Sequence, residues 1–238
     1  MNFLLYGRHG HVTGAALGDM LGIPHGREMP DERVEYLIRW GTSRRIRYIP
    51  SERTWNRRRA IEANADKFNS LNIMEAAGIS VPPFSGSMFD LEFPMLGRSS
   101  SHMQGRDLKL YLQPRDISPM GAPDYFVQYI PKKTEYRVHV IDNRVVKVSE
   151  KRLTDESEYD QLVWNYETGW TFRHPSEPIH PHIYTSIAAV NALDLDFGAV
   201  DVLVSTDNEL YVLEVNTCPG LSDNSLELYV EHLGRLID

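Results

Sequence analysis

The chain has 238 residues, 42% of them hydrophobic and 24% charged, with a formal net charge of −8 at pH 7. That length allows one large domain or two closely associated lobes, and the acidic balance excludes broad, nonspecific binding of nucleic acid. Ordinary hydrophobic content without repeats or low-complexity tracts excludes the disordered and fibrous classes.

Phe3 to Tyr6 reads as a buried strand, far shorter than the roughly 18 residues of a membrane span. Gly7-Arg8-His9 follows at once, so no secretory leader is expected. The one cysteine, Cys218, fits a reducing compartment, and the expected location is cytoplasmic. Gly7, Gly10 and Gly14 punctuate a turn that lacks the Gly-Lys-Ser/Thr ending of a phosphate loop. His9 and His11 lack the carboxylate or cysteine company of a metal site. Val34 to Ile38 and Arg45 to Ile49 read as further strands. Arg44, Arg45, Arg47, Arg53, Arg57, Arg58 and Arg59 form a cluster with two readings: a solvated face, or a patch that attracts a phosphate or an acidic substrate. Ala60 to Ala77 carries an apolar stripe at helical spacing, closed by Gly78 just past its end.

Val81-Pro82-Pro83-Phe84 begins an extended segment. Phe93 to Gly97 reads as a strand leading into the polar loop Arg98 to Arg106, followed by a strand at Tyr125 to Ile130. Tyr136 to Val148 forms a hairpin turning at Asp142-Asn143. His180 to Leu193 is a helix, Phe197 to Ser205 and Glu209 to Asn216 are strands, and Leu226 to Ile237 is a C-terminal helix. The mixture predicts α+β lobes rather than one doubly wound sheet.

The chemistry concentrates in the last hairpin. If Ser205 pairs with Leu210, Asp201 lies opposite Glu214, and Asn216 shares a face with Glu214. Facing acids repel, and they sit badly among Val, Leu and Tyr. A cation removes the conflict: two carboxylates and an amide are oxygen donors of the kind Mg²⁺ takes, with water and nucleotide phosphate completing its octahedron. An acid pair on an exposed sheet edge is the alternative. In the preceding hairpin, alternation puts Glu135, Arg137 and His139 on one face. A two-residue turn pairs Arg137 with Val148 and sets Arg152 further along that face, so both arginines are candidates to hold a phosphoryl group.

The segments Asp196-Phe-Gly-Ala-Val-Asp201 and Glu214-Val-Asn216-Thr-Cys-Pro-Gly220 resemble the metal-binding hairpin of the ATP-grasp superfamily, particularly its RimK-like carboxylate-amine ligases. The resemblance covers residues 60 to 225. It implies an α+β, ATP-grasp fold over residues 60–238, two β-containing lobes clasping ATP, behind a short α/β lobe at 1–59. Adenine and phosphates would meet residues 80–130, and metal residues 131–238. ATP and two Mg²⁺ ions, or Mn²⁺, are implied, held by Asp201, Glu214 and Asn216 with Glu214 bridging. Tyr125 to Pro131 resembles the family's adenine hinge, which meets the base through the backbone of residues such as Gln128, Tyr129 and Ile130. Lys67 matches a lysine presented to the nucleotide phosphates. Arg98, His102, Gln104 and Gly105 fall in the phosphate-covering loop. Arg137 and Arg152 would hold the γ-phosphate or an acyl phosphate. The usual Lys-Pro pair before that loop is absent from Pro94-Met-Leu-Gly97-Arg98, which makes Arg98 the candidate replacement. The implied activity is amide or peptide bond formation through an acyl phosphate, releasing ADP and phosphate. A kinase on the same scaffold and a nucleotide-binding protein without turnover are the alternatives. The implied partners are a carboxylate substrate and an amine acceptor, either a small molecule or a peptide or protein terminus, without membrane or nucleic acid. A homodimer is the default assembly. Cys218 fills a slot for small residues and is expected to pack.

Overall fold

The computed structural model describes residues 1–48, 50–100, 108–118, 121–154, 162, 164, 168–176, 179–221 and 224–237. His102, Gln104 and Gly105 lie outside the described residues, as does Ile49. At the N-terminus, β1 (Phe3–Tyr6), β2 (His25–Gly26), β3 (Tyr36–Trp40) and β4 (Arg53–Trp55) form a parallel sheet in the order β2-β1-β3-β4. Helix α1 (His11–Leu21) links the first two strands and ends at Gly22, where φ is 66°. From the sequence only a turn is expected here, because glycines disfavour helix. Packing explains them: a Cβ on Gly14 would lie 2.8 Å from the Tyr6 ring, and one on Gly18 would lie 2.4 Å from His25.

Two expectations in this lobe need correcting. β3 starts two residues later than Val34, and residues 45–48 form no strand. Ile46 and Tyr48 instead pack over Phe3, Leu5, Val34 and Leu37, covering the sheet face, while β4 takes the edge position.

The single helix expected over Ala60 to Ala77 is two, α2 (Arg58–Ala65) and α3 (Lys67–Ala76). Asp66 breaks it with ψ at 104° and caps α3 by accepting a hydrogen bond from Asn69 N at 3.1 Å. Gly78 follows the end of α3 at φ 76°, as its position predicts. Next, β5 (Phe84–Ser85), β6 (Met95–Arg98), β7 (Lys109–Tyr111) and β8 (Tyr125–Gln128) build an antiparallel sheet in the order β5-β8-β6-β7.

The central sheet contains β9 (Lys132–Ile141), β10 (Arg144–Leu153), β11 (Trp170–Arg173), β12 (Phe197–Ser205) and β13 (Leu210–Asn216), ordered β11-β10-β9-β12-β13. A 3₁₀ turn at Pro181–Tyr184 and α4 (Thr185–Ala192) precede β12, and α5 (Ser225–Ile237) ends the chain. The β9–β10 turn has φ of 47° at Asp142 and 61° at Asn143, the conformation its Asp-Asn pair favours.

Strand β12 is buried along its whole length. Val200, Val202 and Val204 pack with Val138 and Val140 against Leu71, Met74, Ala189 and Val190 of the helices. Ile141 and Phe197, at the other end of the sheet, join Leu4, Ile38 and Trp40 of the N-terminal sheet and Tyr229 and Leu233 of α5. Trp40 stacks on Phe197 at 5.8 Å and meets the edge of Tyr229 at 5.4 Å. Among the described residues, no helix is long and apolar enough to cross a membrane.

Asn56 locks the N-terminal sheet to β12. Fully buried, its Nδ2 donates to Phe197 O at 3.0 Å, and its Oδ1 accepts from Asp196 N at 2.8 Å and Phe197 N at 3.2 Å. Replacing it with alanine strands three polar groups in an apolar layer. Asn56→Ala should therefore destabilise the chain by about 3 kcal/mol in urea unfolding.

His139 lies beside Tyr229, with Nδ1 3.2 Å from the phenol oxygen. Burial, then the nearby Arg137 and Lys147, push its pKa down to about 3. The unfolded chain therefore binds a proton below about pH 6.5 that the folded chain refuses. This contribution to stability is present above that pH and falls as pH drops toward 3, at up to about 1.4 kcal/mol per pH unit. His139→Gln should flatten the loss of unfolding free energy between about pH 6 and about pH 4 by up to one proton, read from urea titrations.

Candidate functional site

One row of side chains crosses four strands of the central sheet. Ser149 pairs with Arg137, Arg137 with Asp201, and Asp201 with Glu214. The two acids do face each other, although the hairpin register differs from expectation. Val204, not Ser205, pairs with Leu210, and a bulge between Val202 and Asp201 on the β12–β13 pairing restores the Asp201–Glu214 match. Asp201 is 5% exposed, at the middle of the sheet. Arg137 grips it as a fork, Nε to Oδ1 at 2.7 Å and Nη2 to Oδ2 at 2.8 Å. Burial opposes the charge on Arg137, but Asp201 outweighs it and raises the guanidinium pKa. Asn216 Nδ2 donates to Glu214 Oε1 at 3.1 Å and lies 3.4 Å from Asp201 Oδ2.

Glu214 is also held by Lys67, whose Nζ is 3.1 Å from Oε2. Lys67 foremost, with Arg98 and Arg137 adding to it, drives the Glu214 carboxyl far below the usual range. The Asp66 break delivers this lysine, because it makes Lys67 the first residue of α3. Just before the break, Asn64 donates to Val215 O at 2.7 Å and accepts from Ser70 Oγ at 3.2 Å, tying both helices to β13. Arg98, at the end of β6, contributes charge from the other sheet.

Arg152 departs from expectation. A bulge between Val145 and Lys147 moves Ser149 opposite Arg137, where Val148 was expected. The shift turns Lys151 onto the Arg137 face and Arg152 onto the reverse. Lys151 ion-pairs with Glu135, which raises its pKa against the effect of burial. Phe172 lies under Arg137, 4.4 Å from the guanidinium carbon to the ring centre. Arg152 pairs with Glu150 at 3.0 Å and donates to His174 O at 2.9 Å.

At the expected hinge, Gln128 N donates to Pro83 O at 2.7 Å and Tyr129 N to Pro94 O at 3.2 Å. The Gln128 amide donates to Glu92 O and Pro94 O. These two backbone donors are thus engaged in the sheet, whereas Ile130 N–H makes no such bond among the described residues. Cys218 packs as expected. It touches the Trp40 cluster, and burial raises its thiol pKa. Gly41 runs past it at φ 62°, so close that a Cβ would lie 2.4 Å from the sulfur.

The donor chemistry of this face suits a hard divalent cation: two carboxylates and an amide converge, and their charge is now balanced by Lys67 and Arg137. Among the described residues, no cluster of three His, Cys, Asp or Glu side chains offers a rival site.

No protein-family model matches the sequence. The D-alanine–D-alanine ligase of Laribacter hongkongensis (strain HLHK9) is 24% identical over an alignment of 184 residues that covers 68% of this chain; the chain spans 58% of that relative's length. The ATP-grasp ligase PsnB, solved with a minimal precursor, superposes with a TM-score of 0.71 at 13% identity and 99% coverage of both chains. D-alanine–D-alanine ligase from Bacillus anthracis gives 0.65 at 16% identity, covering 100% of this chain and 94% of that one. N5-carboxyaminoimidazole synthetase from Staphylococcus aureus gives 0.67 at 12% identity, covering 98% and 76%. The likeness runs from end to end of this chain, N-terminal sheet included, and its fold is that of the ATP-grasp superfamily.

Proposed function

We propose that the protein is an ATP-dependent carboxylate-amine ligase of the RimK-like kind, acting in the cytoplasm. The observation that carries this reading is the Asp201–Glu214 pair, Asp201 buried and Glu214 half-buried, set across adjacent strands with Arg137 and Lys67 beside them. Structures of the same fold with ATP, or with Mg and ADP, support the same ligands here. Asp201, Glu214 and Asn216 would hold two Mg²⁺ ions, or Mn²⁺ in their place, with Glu214 shared. The bound metal would neutralise charge on the phosphoryl group being transferred.

The chain's own residues do the rest. Lys67 and Arg98 face the phosphates from the helix and from the second sheet. Arg137 and Lys151 present cations along one sheet face, and Lys151 takes the role first expected of Arg152. Ile130 N–H, with the carbonyls of Gln128 and Tyr129, lines the hinge for adenine. A substrate carboxylate attacks the γ-phosphorus, the β–γ bridging bond breaks, and ADP leaves an acyl phosphate. An amine then attacks the acyl carbon and expels phosphate. The substrates would be an acid and an amine, the latter a small molecule or a peptide or protein terminus. The lobes divide as residues 1–59, then a nucleotide lobe and a metal lobe within 60–238.

Purified protein with Mg-ATP and a pool of acids, peptides and amines should release ADP only when both substrates are present. Glu214→Ala should reduce release by at least about 100-fold. Lys151→Ala should cost about tenfold or more, and Arg152→Ala less than about threefold. ADP formed without an amine would assign a kinase instead. Equal loss in the Lys151 and Arg152 variants would remove Lys151 from its role.

A further inference from the structure

The arginine cluster divides by its partners. Arg44 pairs with Glu28 at 3.0 Å and Arg47 with Asp31 at 3.8 Å, both on the exposed surface. Arg45, Arg53, Arg57 and Arg58 instead line a cavity of about 500 Å³ together with Arg39, a residue outside the cluster, and one acid, Glu52. That volume falls within the roughly 300–1,000 Å³ of small-ligand sites. Five arginines and one glutamate give this lining a positive balance on an otherwise acidic chain.

Arg39 is the decisive member. It is 2% exposed, and its Nη1 donates to Thr42 O at 3.1 Å and Arg44 O at 2.9 Å. Its buried Nε has no partner, and Arg39 forms no ion pair among the described residues. Burial and the neighbouring Arg58 both work against its charge. The Glu62 carboxylate offsets this only in part, so an oxyanion in the cavity would add to the compensation. Arg53, Arg57 and Arg58 lean on carboxylates outside the cavity, at Asp196, Asp194 and Glu62. Helix α2 also begins here, with no side-chain cap and no acid in its first turn, so its free N–H groups favour an anion as well.

We propose that this cavity is an oxyanion subsite that anchors a carboxylate or phosphate of the substrate, remote from the reacting group. The assignment to the substrate rests on the ligase reading; binding of the anion does not. Helix α2 sets the spacing. It runs from Arg58 at the cavity to Asn64, which is bonded to β13 beside Glu214. The six residue steps from Arg58 to Asn64 rise about 9 Å, and an extended chain covers that distance in about three residues, at roughly 3.3–3.6 Å each. The substrate class is therefore an elongated acid with a second anionic group at its far end.

The test is calorimetric titration of the full chain, without nucleotide, with inorganic phosphate and separately with glutarate, at matched ionic strength. Saturable binding of at least one anion is expected, and the tighter of the two names the group. Arg57→Ala/Arg58→Ala should weaken it at least tenfold, and Arg39→Met should do so if that variant folds. Lys67→Ala, which removes a cation from the nucleotide cleft, should leave the Kd unchanged. Binding of neither anion, or binding that is lost in the Lys67 variant and kept in the double variant, overturns the proposal. ATP affinity, measured in parallel, bears on the ligase reading alone: its absence in the wild type sinks that reading while leaving the anion result standing.

Discussion

Two carboxylates facing each other across the last two strands of the central sheet, one buried and one half-buried, form the constraint around which this structure is arranged. Asp201 and Glu214 cannot both stay ionised there without nearby positive charge, because burying unpaired charge costs several kcal/mol. The chain supplies that charge from three directions. Arg137 comes from the adjacent strand, Lys67 from the start of α3, and Arg98 from the second antiparallel sheet. Each supply depends on a local irregularity or boundary. Asp66 breaks a helix so that Lys67 points at Glu214, and the bulge near Leu213 brings Glu214 level with Asp201. A regular helix and a regular hairpin of the same sequence would leave the acids out of register with their counter-charges.

The acid pair was legible because strand alternation is a local rule, and because Val, Leu and Tyr around Asp201 and Glu214 make acids conspicuous. Its pairing was reached through a register one residue off at the hairpin end, which the bulge then compensates. The same rule misplaced Arg152. The bulge near Val146 carries no glycine or proline to announce it, and one added residue exchanges the faces of everything beyond. The place of Lys151 on the Arg137 face was thus invisible until the strands were paired.

Other misses have different causes. Helix α1 is built with glycines because β1 and β2 leave no room for a Cβ, so tertiary packing overrides a poor helical propensity. The Asp66 break did leave a trace, since aspartate is a favoured N-cap and Asn69 stands three residues on, but the continuous apolar stripe masked it. Arg39 gave no signal at all. Only the folded chain reveals that this strand residue is buried and directed at a cluster whose other members come from a loop, an edge strand and a helix start.

The contact between Gly41 and Cys218 bears on how such a protein can diverge. The N-terminal sheet presses against the loop that follows the acidic hairpin, and the two positions share one pocket of space. They are unequal partners. Position 218 can shrink, whereas position 41 is held to glycine by a left-handed backbone as well as by crowding against both the sulfur and the Cβ of Cys218, of which an alanine at 218 removes only the sulfur. Any other residue at 41 would still bear about 1–2 kcal/mol of backbone strain. Lineages descended from this sequence should therefore vary at 218 without any answering change at 41, a dependence between two touching residues that leaves no covariation behind.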